Sequence, residues 1–532
     1  MIEGNKIYMG LADGEKVYMN LSQANRHGLI AGASGTGKTV TMKVMAEAFS
    51  DAGVPVFLCD VKGDVSGLAV PGADNSGMQK RIDKFGIRDC FSYKGYPVCF
   101  WDIYAKGGHP VRTTISEMGP EILSRILGLT EVQEGVLTIM FRIADDHGLK
   151  IIDMKDLRAV INFVNEHRAE YSVTYGNMAA QSIGAINRAL IPLEDQGAEL
   201  FFGEPALDLN DWMSVDANGH GMVNILHSVD VIKYPKLYAM FLLWMMAELF
   251  ENLPEVGDCE KPRMVFFFDE AHLLFNNAPK ALISRIEQVV KLIRSKGVGI
   301  YFVTQSPSDI PDTVLSQLSN RVQHALRAYT PAEQKAVRTA ASTFRTNPKF
   351  KTEDVIMNLG TGEALVSFLD EEGIPQIVQD TAIICPQSLM APCDAATKEN
   401  IMRQSRFALK YSEPVDNESA YELLQKQAEK DAEQAELDRQ KAELEAEKAR
   451  LEAEKTKEEE RKAKEAAKEE ERKAKEKAKE EERKAREKEK EKEKKKAAKE
   501  KAAAARKAKI ETQLISTGGQ IFKRGILSIL KY

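Results

Sequence analysis

Cysteine is scarce: six residues in 532, at Cys59, Cys90, Cys99, Cys259, Cys385 and Cys393, with no C-x-x-C pair. The eight histidines do not stand at metal-ligand spacing from them. That combination excludes a disulfide scaffold and a structural zinc site, and it suits reduced thiols in a cytoplasmic protein. Long apolar runs are missing too. The longest, Leu237 to Ala247, lies between Lys236 and Glu248 and is about half of the ~20 residues a membrane-spanning helix needs. No basic-then-apolar leader opens the sequence, so a soluble intracellular chain without membrane contact is expected. Proline and glycine vanish altogether between Ser419 and Lys509, which leaves that stretch nothing to break a helix.

The net charge of −6 hides an asymmetry. From Ser419 onward 34 Lys+Arg face 28 Asp+Glu, whereas the preceding 418 residues carry 40 against 52. An acidic body excludes a protein that coats nucleic acid over its whole outer surface, while leaving room for a basic strip in a channel. A chain of 532 residues exceeds one ordinary domain, so a large core with appendages is expected.

What is present is informative. Gly32-Ala33-Ser34-Gly35-Thr36-Gly37-Lys38-Thr39 fits G-x-x-x-x-G-K-[ST]. It follows the apolar run Leu29-Ile30-Ala31 and opens a segment of helical spacing (Val40, Val44, Met45, Ala48, Phe49) that stops at Gly53. Strand, glycine loop and helix make a phosphate site. The glycines let backbone N–H groups turn inward, and the helix N-terminus adds positive potential. Lys38 can reach the β- and γ-phosphates and the Thr39 hydroxyl can ligate Mg²⁺. ATP with Mg²⁺ is the expected cofactor pair, held by residues 32 to 39.

A second strand, Met264-Val265-Phe266-Phe267-Phe268, ends in Asp269-Glu270. Its unbroken hydrophobicity suits the centre of a parallel sheet. Asp269 is expected to hold the Mg²⁺ shell, and Glu270 to orient and deprotonate the attacking water. Asp269-Glu270-Ala271-His272 also matches a DEAH tag, but no glycine–arginine-rich final helicase motif or second RecA-like lobe accompanies it. Val54 to Asp60 reads as another strand, putting Asp60 and Lys62 near the nucleotide, and a third strand is expected at Val98–Ile103. Val298 to Val303 leads to Thr304-Gln305, a polar strand end that can sense a γ-phosphate. A helix is expected from Pro279 to Lys296, and a strand at Arg321–Ala328 followed by a capping box at Thr330–Glu333. Arg321 and Arg327 are candidates for an arginine supplied to a neighbouring subunit. Glu363–Leu369 and Ile374–Val378 read as a closing hairpin.

The expected organisation is an α/β P-loop ATPase core, mainly parallel. It runs over 25–112 and 256–414, preceded by a small β-hairpin at 1–24 and interrupted by a helical insertion over 113–255. A charged helical tail follows over 415–509, then an amphipathic segment over 510–532. In the tail KEEERKAKEAA from Lys457 recurs as KEEERKAKEKA from Lys468 and KEEERKAREKE from Lys479. Glu-to-Lys pairs four apart support a helix, and ~1.5 Å per residue makes it roughly 135 Å long. With only alanines along its repeat, a solvated single helix suits it better than a coiled coil. Leu423, Leu424, Leu437, Leu444 and Leu451 offer the earlier part to a partner helix. Ile521, Phe522, Ile526, Ile529 and Leu530 form an apolar face suited to protein docking.

The P-loop at 32–39, VFFFDEAH at 265–272, YFVTQSPSDIP at 301–311, NRVQHALRAYTP at 320–331 and GEALVSFLD at 362–370 together resemble the HerA/FtsK class of ring-forming P-loop ATPases. Within it the YjgR-like branch, proteins with a HerA-like helicase C-terminal domain, is the most similar. The resemblance covers about residues 5–385 and implies a RecA-like core and homo-hexameric rings. It also implies ATP hydrolysis at subunit interfaces and translocation on double-stranded DNA. It implies phosphate and Mg²⁺ binding by Lys38 and Thr39, an acidic pair at Asp269 and Glu270, a sensor at Gln305, and a trans-acting arginine at Arg321 or Arg327. The amino-terminal barrel of HerA proper is missing or reduced to the hairpin. A machine acting on a protein partner through the charged helix is the alternative.

Overall fold

The computed structural model describes residues 1–257, 259–275 and 280–490. One compact unit spans Met1–Glu429 and a second begins at Lys430. The first is built on seven parallel strands of four or more residues, β1 (Gly28–Ala31), β2 (Val56–Asp60), β3 (Val98–Asp102), β4 (Val223–His227), β5 (Met264–Phe268), β6 (Val298–Thr304) and β7 (Asn320–Gln323), with the short His109–Pro110 added parallel beside β3. Their order across the sheet is β7, β1, β6, β5, β2, β4, β3, every neighbouring pair parallel.

Side chains alternate between sheet faces along each strand, and here both faces are covered. Phe57, Cys59, Phe266, Phe268, Ile300 and Phe302 point into one apolar layer, while Val56, Leu58, Val265, Phe267, Tyr301 and Val303 point into the other. This is why β5 reads as five consecutive apolar residues. Helix α1 (Lys38–Asp51) covers the second face with Met42, Met45 and Phe49. Helices α2 (Ile115–Leu127), α3 (Glu131–Asp146), α4 (Met154–Glu166), α5 (Ala180–Glu194) and α6 (Pro235–Asn252) contribute to the first. Helix α6 is apolar around its circumference and therefore buried, Trp244 included.

Several expected boundaries are corrected. Strand β4 lies inside the stretch 113–255 expected as a helical insertion, so the helical excursion ends before it and the chain returns to the sheet. Asn224 disguises this strand by interrupting its apolar run. Buried, it accepts from Trp101 Nε1 (3.0 Å) and donates to the Trp212 carbonyl (2.9 Å). The strand expected at Arg321–Ala328 stops at Gln323. Glu363–Ser367 pairs antiparallel with Gln379–Ile383, and the expected 374–378 forms the turn end of the same hairpin, where Leu369 bridges Pro375 and the Gln376 N–H donates to the Phe368 carbonyl (2.9 Å). Gln379–Ile383 pairs onward with Lys6–Ala12, which pairs with Glu15–Asn20. The amino-terminal hairpin thus extends the central sheet antiparallel. Helix α7 spans Lys280–Leu292, and the expected start at Pro279 lies outside the described residues.

The body does not end near Pro414. Ser419 Oγ and the Tyr421 N–H both donate to Asp156 Oδ1 at the start of α4 (2.6 and 2.8 Å), and Ala420 is fully buried. From Ala420 helix α8 runs unbroken to Lys490. Along it Lys462–Glu458 (3.0 Å) and Lys475–Glu471 (2.6 Å) pair one turn apart, and Leu437, Leu444 and Leu451 are about half exposed. The rest of the charged tail and the apolar face expected at 521–530 lie outside the described residues. Among the described residues no helix is long and apolar enough to cross a membrane, and the six cysteines are unbridged, with Cys59, Cys99 and Cys385 buried.

Candidate functional site

The phosphate-type loop is tied down from beneath. The Gly32 N–H donates to the Thr304 carbonyl (3.2 Å), the Ala33 N–H to the Ala325 carbonyl (2.8 Å), and Thr36 Oγ1 to the Ala33 carbonyl (2.7 Å). Two glycines are dictated by geometry. A Cβ at Gly32 would stand 2.5 Å from His324 Cβ, and Gly37, capping α1, has φ of +119°, a region only glycine enters readily. Ser34 and Gly35 are exposed at the tip. Lys38 is folded back into the loop, its Nζ donating to the Gly32 and Ala33 carbonyls (2.6 and 3.1 Å). Burial, and then the Lys62 ammonium, hold it below the usual lysine range, against the pull of Glu270 and Asp269.

On the acidic side, Asp269 Oδ1 accepts from the Glu270 N–H (2.9 Å), while its buried Oδ2 has no hydrogen-bond partner among the described residues. Burial pushes the Asp269 carboxyl up to about 6, with Lys62 opposing and Glu270 adding to the rise. A buried carboxylate oxygen without a donor is an incomplete arrangement for a protein alone and a ready ligand for a hard cation such as Mg²⁺. Glu270 holds φ of +49°, a left-handed backbone that costs a non-glycine residue and gathers at functional sites. Its Oε1 pairs with Lys62 Nζ, and its Oε2 faces Gln305 Nε2 (3.4 Å) and His272 Nδ1 (3.1 Å, without hydrogen-bond alignment). Burial alone would raise its pKa; the hydrogen bond and charge of Lys62 outweigh that and hold it below the usual glutamate range.

The sheet explains the convergence. Strands β1, β6, β5 and β2 are consecutive and parallel, so Lys38, Gln305, the Asp269-Glu270 pair and Lys62 all leave the same edge, where α/β sheets bind ligands. Asp60 is buried and serves its own turn, Oδ1 accepting from the N–H groups of Gly63 (2.7 Å) and Asp64 (3.2 Å). Arg321, a candidate for the trans-acting arginine, bonds within its own chain. Its Nε donates to the Leu318 carbonyl (2.8 Å), Nη1 to Thr343 (2.7 Å) and Nη2 to Leu315 (3.0 Å), so the guanidinium is spent inside its own chain. Arg327 is exposed, with Nη1 on the Met357 carbonyl and Nη2 on that of Leu359 (3.1 Å).

Sequence reasoning missed His324. Buried under Gly32, it joins Thr41 Oγ1 (2.9 Å) to the Glu363 carbonyl (2.9 Å), and burial lowers its pKa to about 4, so it is neutral. Nothing in its sequence surroundings signals this. Also missed was a mainly apolar cavity of about 490 Å³ beside Gly37 and Val40, walled by Met78, Arg81, Pro386 and Met390.

A glycine loop, a lysine and a strand-end acidic pair on the parallel centre of one mixed sheet define the class as a P-loop ATPase with a RecA-like α/β core. The model of the Helicase HerA-like C-terminal family matches residues 7–531, and the chain belongs to that family. Probable helicase MJECL08 of Methanocaldococcus jannaschii is 32% identical over 123 residues, 22% of this chain and 21% of that protein. The match thus spans about a fifth of that relative's length. Among solved structures, the plasmid coupling protein TrwB with a non-hydrolysable ATP analogue superposes with a TM-score of 0.50 at 13% identity, covering 73% of this chain and 91% of that one. This likeness is one of fold.

Proposed function

We propose that this chain is the subunit of a ring-type motor that hydrolyses Mg·ATP and translocates on double-stranded DNA. The observation that carries the reading is the meeting of Gln305 with Glu270 (3.4 Å) beside the unpartnered Asp269 oxygen, at the sheet edge from which the loop of Lys38 also departs. Backbone amides of 32–39 cradle the phosphates. The Lys38 ammonium leaves its two loop carbonyls for phosphate oxygens, which offer it full charge in place of dipoles. Thr39 and Asp269 hold the Mg²⁺, which supplies charge neutralisation at the phosphate chain. Glu270 accepts the proton of the attacking water and Gln305 orients that water. The cavity beside Gly37 takes the nucleoside base. Of the two candidate arginines Arg327 is the more exposed, and in a homo-hexamer its guanidinium would exchange the Met357 and Leu359 carbonyls for a neighbouring subunit's phosphate. Membership of a helicase family, and the helicase name of the archaeal relative, support DNA as the track.

Phosphate release measured with and without duplex DNA tests this. Stimulation that fades steeply with added salt is expected of phosphate-backbone contacts; equal rates at every salt concentration contradict a DNA motor. The half-exposed Leu437, Leu444 and Leu451, seven residues apart on α8, favour the second reading, an ATP-driven machine acting on a protein partner through this helix. Removing the chain after Glu429 then abolishes partner capture without affecting hydrolysis.

A further inference from the structure

Lys62 belongs to neither the glycine loop nor the acidic strand, yet it reaches the residue assigned to activate water. Register explains how. Cys59 on β2 lies opposite Phe268 on β5, so the segments leaving these two strands run side by side, and Lys62 emerges next to Glu270. The base of Lys62 is fixed, because Asp60 Oδ1 pins the turn at Gly63 and Asp64. Its tip borders solvent: the side chain is 44% exposed, whereas that of its partner Glu270 is 8% exposed. The second oxygen of Glu270 has a holder of its own, Gln305 Nε2 (3.4 Å), which does not depend on Lys62.

We propose that Lys62 is a positioning residue that reads the terminal phosphate. In the nucleotide-free protein its ammonium occupies Glu270 Oε1; a bound triphosphate draws it away and leaves that oxygen open to water. A diphosphate lacks the group that competes for the ammonium, so the pair persists. The inference rests on the reading of this edge as an ATP site. A ligand shifts such an equilibrium only by its difference in affinity for the two states, and a lysine tip that meets the third phosphate alone supplies that difference.

The test is binding of a non-hydrolysable ATP analogue and of ADP, each with Mg²⁺, to the full chain and to Lys62→Ala, Lys62→Arg and Glu270→Gln. Lys62→Ala is expected to weaken the analogue about tenfold, the equivalent of about 1.4 kcal/mol, and to leave ADP within about twofold. Lys62→Arg is expected to restore most of the loss. Glu270→Gln, which releases Lys62, is expected to tighten the analogue in the parent but not in the Lys62→Ala background. Equal weakening of both nucleotides, or no change in either, overturns the role of Lys62 while leaving the ATP site standing. If the parent chain binds neither nucleotide, the ATPase reading and this inference fall together.

Discussion

Asp269→Asn replaces one buried carboxylate with an amide of nearly the same size. Asp269 is 3% exposed, and burial raises its carboxyl from 3.8 to about 6. The native state therefore binds more protons than the unfolded chain between these two values. Its stability falls as pH rises through that window, then stays level above it. Two units at 1.36 kcal/mol each amount to about 3 kcal/mol. Near pH 4 the parent carries a neutral acid, so parent and variant differ little in charge. Near pH 8 the variant avoids the buried charge and gains about 3 kcal/mol. Its amide nitrogen, placed where Oδ2 has no donor, gives back about 1 kcal/mol. Urea unfolding without Mg²⁺ or nucleotide, between about pH 4 and pH 8, should show the variant's advantage growing up to about pH 6 and then levelling. Hydrolysis should be lost at every pH, the exchange of stability for function common at active sites. An advantage that does not change with pH would refute the reasoning.

Lys38→Ala should cut phosphate release about 10²–10³-fold, the loss typical of removing one preorganised donor to developing charge. Circular dichroism and the urea midpoint should stay close to the parent's, since the two carbonyl bonds of Lys38 are offset by burial of its charge. More than a tenth of the parent's turnover would contradict its role. Arg321→Ala should destabilise by about 2–3 kcal/mol, because the Leu315, Leu318 and Thr343 carbonyls lose their donor. Turnover per folded molecule should survive. A stable but inactive variant would instead favour the trans-acting role for Arg321.

Much of this was legible because local rules and global fold agree. The loop at 32–39 and the acids after Phe268 announce themselves through glycine spacing and an unbroken apolar strand. The helix N-terminus at Thr330 is readable too: Thr330 Oγ1 accepts from the Glu333 N–H and Glu333 Oε2 from the Thr330 N–H. What stayed hidden depends on contacts distant in sequence. Asn224 looks polar until Trp101 and Trp212 satisfy it, and His324 is unremarkable until β7 places it under Gly32. Arg321 looks free until three carbonyls surround it.

The most direct test of the account compares Mg·ATP binding and phosphate release by the parent chain and by Glu270→Gln. The glutamine keeps a carbonyl for Gln305 but cannot take up a proton from water. The account predicts that the variant retains ATP at least as tightly as the parent and releases phosphate at least about 100-fold more slowly, within the range of a lost general base. Parent-like turnover in Glu270→Gln, or a parent that does not split ATP at all, would contradict it.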